Sequence, residues 1–200
     1  DTLVTLNERL RLVLAKEALM ARRDSLNSLY NWRGFEEKLE SSMLQCIRSG
    51  RPLCVAYLDL DNFKRVNDLF GHGEGDRVLR RIGSVIEETV RREDIKARVG
   101  GDEFAFVFSC KDTAIAERLG RRLVEEIRSI GGDYPNTGLS ASVGMALFLS
   151  PPRDFEEILR KADDLMYQAK MSGKDQLVVS VIDTRATTGP SVALDRTMPR

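Results

Sequence analysis

The chain has 200 residues, 42% of them hydrophobic, with 31 basic and 31 acidic side chains and a formal net charge of zero. That size and apolar share allow one domain with a real core plus an appendage, and they exclude wholesale disorder. The balanced charge gives no reason to expect a nucleic acid polymer or an anionic membrane as the main partner.

Taken in chain order, TLVTLNERLRLVLAKEALMARR reads as a long helix. Leu3, Leu6, Leu10, Val13 and Met20 follow alternating steps of three and four, a heptad seam interrupted by Glu17. Residues 1–23 are thus either an amphipathic helix packed on the domain or the end of a coiled-coil stalk that pairs two chains. The globular part begins at Asp24 and runs to residue 183. GFEEKLESSMLQCIRSG is a helix with Phe35, Leu39, Met43 and Cys46 on one side, closed by Gly50. LCVAYLDL is an apolar run typical of a buried strand, FKRVNDLFG a short helix, and DRVLRRIGSVIEETVRR a longer one. KARV and DEFAFVFS flank a Gly-Gly turn as a hairpin. TAIAERLGRRLVEEIRSIGG is a helix, LSASVGMALF a strand, DFEEILRKADDLMYQAKMSG a helix and DQLVVSVI a last strand. The tail, residues 184–200, is rich in Thr, Pro, Ala and Gly and reads as a linker. The order β-α-α-β-β-α-β-α-β predicts an α/β (α+β) domain of the ferredoxin-like sort, one mixed sheet with helices packed on it.

Cys46, Cys54 and Cys110 are odd in number, widely spaced and form no CxxC. Neither a disulfide framework nor a zinc site is indicated, and a reducing, cytoplasmic setting is expected. His72, the single histidine, excludes a polyhistidine metal site within one chain. No apolar run approaches a membrane span, and no signal peptide is visible. A start at Asp1 rather than Met points to a fragment, with sensor or membrane-anchoring regions expected upstream.

The acids are the informative residues. Asp59 lies inside a buried strand, where a carboxylate is costly unless it is paired or binds a metal. Lys64 is the candidate ion-pair partner. Asp61, by contrast, can cap the helix FKRVND. In RVGGDEF, Gly100 and Gly101 suit a type I′ turn, in which both positions need positive φ. The turn does not account for Asp102 and Glu103, since acids are poor strand residues. A carboxylate at the hairpin mouth beside Asp59 would suit Mg²⁺, a hard ion that prefers oxygen. Strand alternation sends Asp102 and Glu103 to opposite faces, so one of them is expected to meet Asp59.

RVGGDEF, with YLDLDNFKRVND and GHGEGD in the right order and spacing, resembles the diguanylate cyclase domain named for its GGDEF signature. The likeness runs from about Asp24 to about Ile182. It implies a fold like the nucleotidyl cyclase and polymerase palm, and condensation of two GTP into cyclic di-GMP in the bacterial cytoplasm. It implies metal ligands at Asp59, the carbonyl of Leu60 and Asp102, with two Mg²⁺ or Mn²⁺ per site. Asp102 would also help remove the proton of the attacking 3′-hydroxyl, with Glu103 in support. Asn67 and Asp76 would read guanine; their structural alternatives are a helix C-cap and a helix N-cap. The acid at Asp76 favours GTP over other bases. Lys64, Lys170 and Lys174 would serve the phosphates. The two later lysines stand four residues apart and could share a helix face, although Gly173 is a natural helix stop. His72 reads as structural.

The likeness further implies a homodimer, because one domain cannot supply both nucleotides. Arg91 and Asp94, in RRED, match the family's RxxD inhibitory site, where the product cyclic di-GMP binds; an i,i+3 surface ion pair is the structural alternative. One segment departs from the pattern. The family's DxLTxLxNRR is DSLNSLYNWR here, changed at Asn27 and Trp32. The rival from another class is a catalytically silent module that binds GTP or cyclic di-GMP and regulates a partner. A cyclase that makes another nucleotide product is a third reading.

Overall fold

The computed structural model describes residues 22–110 and 112–183. The heptad seam and the tail lie outside the described residues. The elements are α1 (Trp32–Ser49), β1 (Leu53–Asp61), α2 (Phe63–Phe70), α3 (His72–Thr89), β2 (Ile95–Arg98), β3 (Glu103–Phe108), α4 (Thr113–Gly132), β4 (Ser140–Ser150), α5 (Phe155–Met171) and β5 (Gln176–Asp183).

Five strands form one sheet in the order β2-β3-β1-β4-β5. β1 is central because every residue from Leu53 to Asp61 is buried, as an apolar run without alternation requires. It pairs antiparallel with both β3 and β4, β2 pairs antiparallel with β3, and β4 pairs parallel with β5. The strand period of two splits β1 between the two sides of the sheet. Cys54, Ala56, Leu58 and Leu60 pack with Val78, Ile82 and Ile86 of α3 and with Leu123 and Ile127 of α4. Leu53, Val55 and Tyr57 pack with Phe35, Leu39 and Met43 of α1 and with Ile158, Ala162 and Met166 of α5. Each large apolar side chain so buried contributes about 2 kcal/mol. The sandwich predicted from the element order is therefore observed, with helices on both faces.

Local chemistry sets the ends of the elements. Asn31 caps α1 by accepting from the Gly34 N–H, and Gly50 closes that helix at φ +63°. Asp112 and Asp154 cap α4 and α5 in the same way as Asn31. The three cysteines are buried free thiols. No helix among the described residues is long and apolar enough to cross a membrane.

Three local expectations are corrected. α3 starts at His72 behind Gly71, one turn earlier than its apolar periodicity indicates, so Asp76 is inside the helix and is not its N-cap. Asn67 is not a C-cap: α2 runs on to Phe70, and Gly71 closes it by donating to the Asn67 carbonyl. Asp61 caps nothing. The N-cap of α2 is Asn62, at φ +60°, and Asp61 is the buried last residue of β1.

Candidate active site

At the Asp61 end of β1 the sheet opens into two adjoining hollows of about 350 Å³ each. The first is lined by Asp59, Leu60, Lys64, Asp102, Lys170 and Lys174, among others. The second is lined by Asn67, His72, Asp76 and Arg98, and it shares Phe63, Lys64 and Asp102 with the first. The residues named from sequence as metal ligands, phosphate cations and guanine readers therefore lie along one continuous cleft.

The hairpin turn is not of type I′. Neither Gly100 nor Gly101 has positive φ, and four residues, Val99 to Asp102, separate β2 from β3. Val99 and Gly100 both donate to the Glu103 carbonyl, at 2.9 Å and 3.3 Å. Gly100 leaves room for a side chain: a Cβ there would lie 2.2 Å from Glu103 Oε2, and that carboxylate would have to turn aside. A Cβ on Gly101 would meet nothing within 4 Å, so the tip of the turn stands open at the cleft. The turn is joined to β1 because the Leu60 N–H donates to the Asp102 carbonyl at 3.1 Å.

Arg98 holds the turn from the other side, a role the sequence did not reveal. Its Nε and Nη2 donate to the Gly101 carbonyl at 3.1 Å and 2.6 Å, and its Nη1 pairs with Asp24 at 3.1 Å. The two side chains are 12% and 14% exposed, so the pair is largely shielded from water. Asp24 is itself fixed by accepting from the N–H groups of Leu26 and Asn27. Tyr30 extends this segment along the edge of β2 by bonding to both Lys96 and Arg98.

Asp59 is paired with Lys170 at 2.7 Å and not with Lys64. Burial pushes its carboxyl up to about 6, against the pull of Lys170 and with added repulsion from Asp102 and Glu103. Glu103 stands directly opposite Asp59 in the β1–β3 register. Strand alternation does not apply to the pair, because β3 begins at Glu103 and Asp102 belongs to the turn. Lys174 lies past the end of α5 in a left-handed conformation, φ +64°, so it shares no helix face with Lys170. The two still converge, because Lys174 Nζ reaches Asn62 Oδ1 at 2.9 Å beside the same hollow.

Among the described residues, no three His, Cys, Asp or Glu side chains form a metal cluster by themselves. The donors at hand are the carboxylates of Asp59 and Asp102 and the Leu60 carbonyl. They are all oxygen, and the Asp102 charge adds to the repulsion on Asp59 that a further cation would relieve. That chemistry fits a hard divalent ion. In the second hollow Asp76 is half exposed and lies 3.9 Å from Arg80, a loose pair that leaves its carboxylate available. Asn67 Oδ1 fills the space over Gly75, where a Cβ would sit 1.9 Å away. His72 is exposed in the first turn of α3 at the rim of this hollow. Phe63, an aromatic floor common to both hollows, was not singled out in the sequence; its place at the start of α2 was the only signal.

The sequence profile of the family described as "Diguanylate cyclase, GGDEF domain" matches residues 21–176. The chain belongs to the GGDEF diguanylate cyclase family. This GGDEF domain is 33% identical over 164 residues to the probable diguanylate cyclase DgcT of Escherichia coli, covering 80% of this chain and 36% of DgcT. It is 35% identical over 157 residues to the cyclic di-GMP phosphodiesterase NbdA of Pseudomonas aeruginosa, covering 78% of this chain and 20% of NbdA. Among solved structures, the coiled coil and GGDEF domain of DgcB from Caulobacter crescentus in complex with c-di-GMP matches with a TM-score of 0.78 at 26% identity, covering 88% of this chain and 95% of that one. The chain thus spans about a third or less of the two curated relatives.

Away from the cleft, Arg91 and Asp94 of the GGDEF domain form a turn in which the Asp94 N–H donates to the Arg91 carbonyl at 3.1 Å. Among the described residues no ion pair joins their side chains. Asp94 borders two grooves, and burial, then the Glu93 charge, raises its carboxyl above the ordinary range. The divergent residues are accommodated locally. Asn27 lies against Gly83 of α3, where a Cβ would come within 2.9 Å of its own Cβ. Trp32 stays 40% exposed with its ring 6.0 Å from Phe35, clear of the two hollows.

Proposed function

We propose that the domain condenses two GTP into cyclic di-GMP and two pyrophosphates, as a homodimer with two Mg²⁺ or Mn²⁺ per site. The observation that carries this reading is the single cleft in which the Asp59–Asp102 carboxylates, three lysines and the Asn67–Asp76 hollow adjoin. Asp59, Asp102 and the Leu60 carbonyl would hold the metal. When bound, it would neutralise the triphosphate and polarise the reacting phosphorus.

The chain's own groups do the rest. Asp76 accepts from the guanine N1–H and amino group, and Asn67 serves the other edge. Lys170 exchanges Asp59 for phosphate oxygen, Lys174 exchanges Asn62, and Lys64 adds a third charge, so the cations are in place before the reaction. Asp102 takes up the 3′-hydroxyl proton of one GTP. That oxygen bonds to the α-phosphorus of the facing GTP as the bond from that phosphorus to the departing pyrophosphate breaks. The same step in the opposite direction closes the ring. Glu103 contributes charge beside Asp59. Each chain supplies one nucleotide, so two chains must face each other. Arg91 and Asp94 bind the product and restrain the dimer, since arginine suits phosphate and guanine edges.

Incubation with GTP and Mg²⁺, with chromatographic separation of products, tests the reading beside Asp102→Asn. Cyclic di-GMP from the parent and not from the variant supports it. Tight GTP or cyclic di-GMP binding by a dimeric sample without turnover would replace it with the regulatory module. Effective competition by ATP would overturn the role given to Asp76.

A further inference from the structure

We propose that Asp61 is a positioning residue for the triphosphate: its buried carboxylate clamps the α5–β5 turn so that Lys174 is held at the cleft. The proposal rests on the cyclase reading and deepens it. Asp59 and Asp61 lie on the same side of β1, two residues apart, yet they face different tasks. Asp59 meets a cation in the open hollow. Asp61 borders the same hollow but is 2% exposed, and its carboxylate meets only neutral donors. Its Oδ1 accepts from Ser142 Oγ at 2.9 Å, and its Oδ2 accepts from Ser140 Oγ at 2.9 Å and from the Asp175 N–H at 3.0 Å. With three donors already on its two oxygens, Asp61 is badly placed to serve as another metal ligand.

The third donor matters most, because it comes from the turn that carries the lysine. Gly173, Lys174 and Asp175 have φ of +118°, +64° and +51°. Two consecutive non-glycine residues in this region are unfavourable and persist only where surrounding bonds impose them. Asp61 holds the Asp175 N–H from the β1 side. Arg128 of α4 holds Asp175 Oδ2 at 2.7 Å from the other. The Lys174 N–H donates to the Ala169 carbonyl at 3.1 Å, and its ammonium rests on Asn62, whose own amide donates to the Gly138 carbonyl at 2.8 Å. Lys174 is thus fixed at its backbone by Ala169 and at its head by Asn62, the residue after Asp61, while Asp61 holds the next residue, Asp175. Releasing the carboxylate frees the turn and disperses the charge that phosphate would meet.

Asp61→Ala and Asp61→Asn separate this role from the alternatives. The asparagine can keep its amide oxygen on Ser140 and Asp175 while its amino group donates to Ser142 Oγ, so it preserves the clamp without the charge. Asp61→Ala should raise the KM for GTP about tenfold, a larger effect than on kcat, and Asp61→Asn should restore most of it. Trypsin should cut after Lys174 faster in folded Asp61→Ala than in the parent, a readout independent of activity. Equal loss in both variants would overturn the proposal in favour of a charge role, such as metal binding. A fall in kcat with unchanged KM would reduce Asp61 to a purely structural residue. Unchanged trypsin cleavage in Asp61→Ala would overturn the clamp itself. A parent that cleaves normally but neither binds nor converts GTP would instead fail the cyclase reading, and with it the phosphate half of the proposal.

Discussion

Gly144→Ala should displace the helix that carries Lys170. Gly144 sits in β4 opposite Tyr57 of β1 and Val178 of β5, where α5 crosses the sheet. A Cβ at this position would lie 2.0 Å from the Met166 nitrogen, 2.6 Å from the Ala162 oxygen and 2.6 Å from the Leu165 carbonyl carbon. These are backbone atoms, so no side-chain rotation relieves the clash. Restoring ordinary contact at 3.4 Å requires α5 to retreat by about 1.4 Å. Its buried face of Ile158, Ala162, Leu165, Met166 and Ala169 would lose its fit to the sheet. Overpacking costs about 1–3 kcal/mol, and a backbone clash belongs at the upper end. For a domain of this size that lowers Tm by roughly 6–12 °C. The same shift pulls Lys170 from its 2.7 Å contact with Asp59, so cyclase kcat should fall by on the order of 10²-fold at temperatures where the variant is folded. Thermal circular dichroism and initial rates with GTP measure the two effects. A Tm within about 1 °C of the parent would refute the close helix–strand packing from which both effects are derived.

The buried Arg98–Asp24 pair should show strong coupling. Arg98→Ala is expected to lower stability by about 3 kcal/mol, and the double variant with Asp24→Ala by less than the sum of the singles, as read by urea unfolding. Asp59, with its carboxyl pushed up to about 6, opposes folding when ionised in metal-free protein. Its folded value lies above the ordinary unfolded value of about 3.9, so stability drops as pH rises from about 4 through 6. Asp59→Asn should therefore melt higher than the parent in EDTA at pH 7, with a smaller gap near pH 4. Equal gaps at both pH values would contradict this account. Gly100→Ala should force the Glu103 carboxylate to turn aside and reduce activity about tenfold or more with little loss of Tm, since the displaced group is the end of a flexible side chain.

Much of the fold is legible in the sequence because its causes are local. The uninterrupted apolar run at Leu53–Leu60 specifies a buried strand, and the spacing of Phe35, Leu39, Met43 and Cys46 specifies the inward face of α1, with Gly50 as its stop. Asp59 was conspicuous for the same reason: a carboxylate in such a strand needs a partner. Which partner, only the tertiary structure decided. Lys170 is 111 residues away from Asp59, Arg98 is 74 from Asp24, and Asp175 is 114 from Asp61. No periodicity spans such separations. Local rules also misled where a distant donor offered more than a local one. Asp61 follows the pattern of a helix cap, but β4 and the α5–β5 turn bring it three donors at once, and a buried carboxylate is satisfied by whichever donors the fold delivers. The glycines of the signature follow a hairpin rule, yet Gly100 makes room for Glu103 and Gly101 leaves the cleft open. The sequence by itself determined the elements and the chemistry available to them; the tertiary structure decided that Asp59 meets Lys170 while Asp61 meets two serine hydroxyls and a backbone N–H.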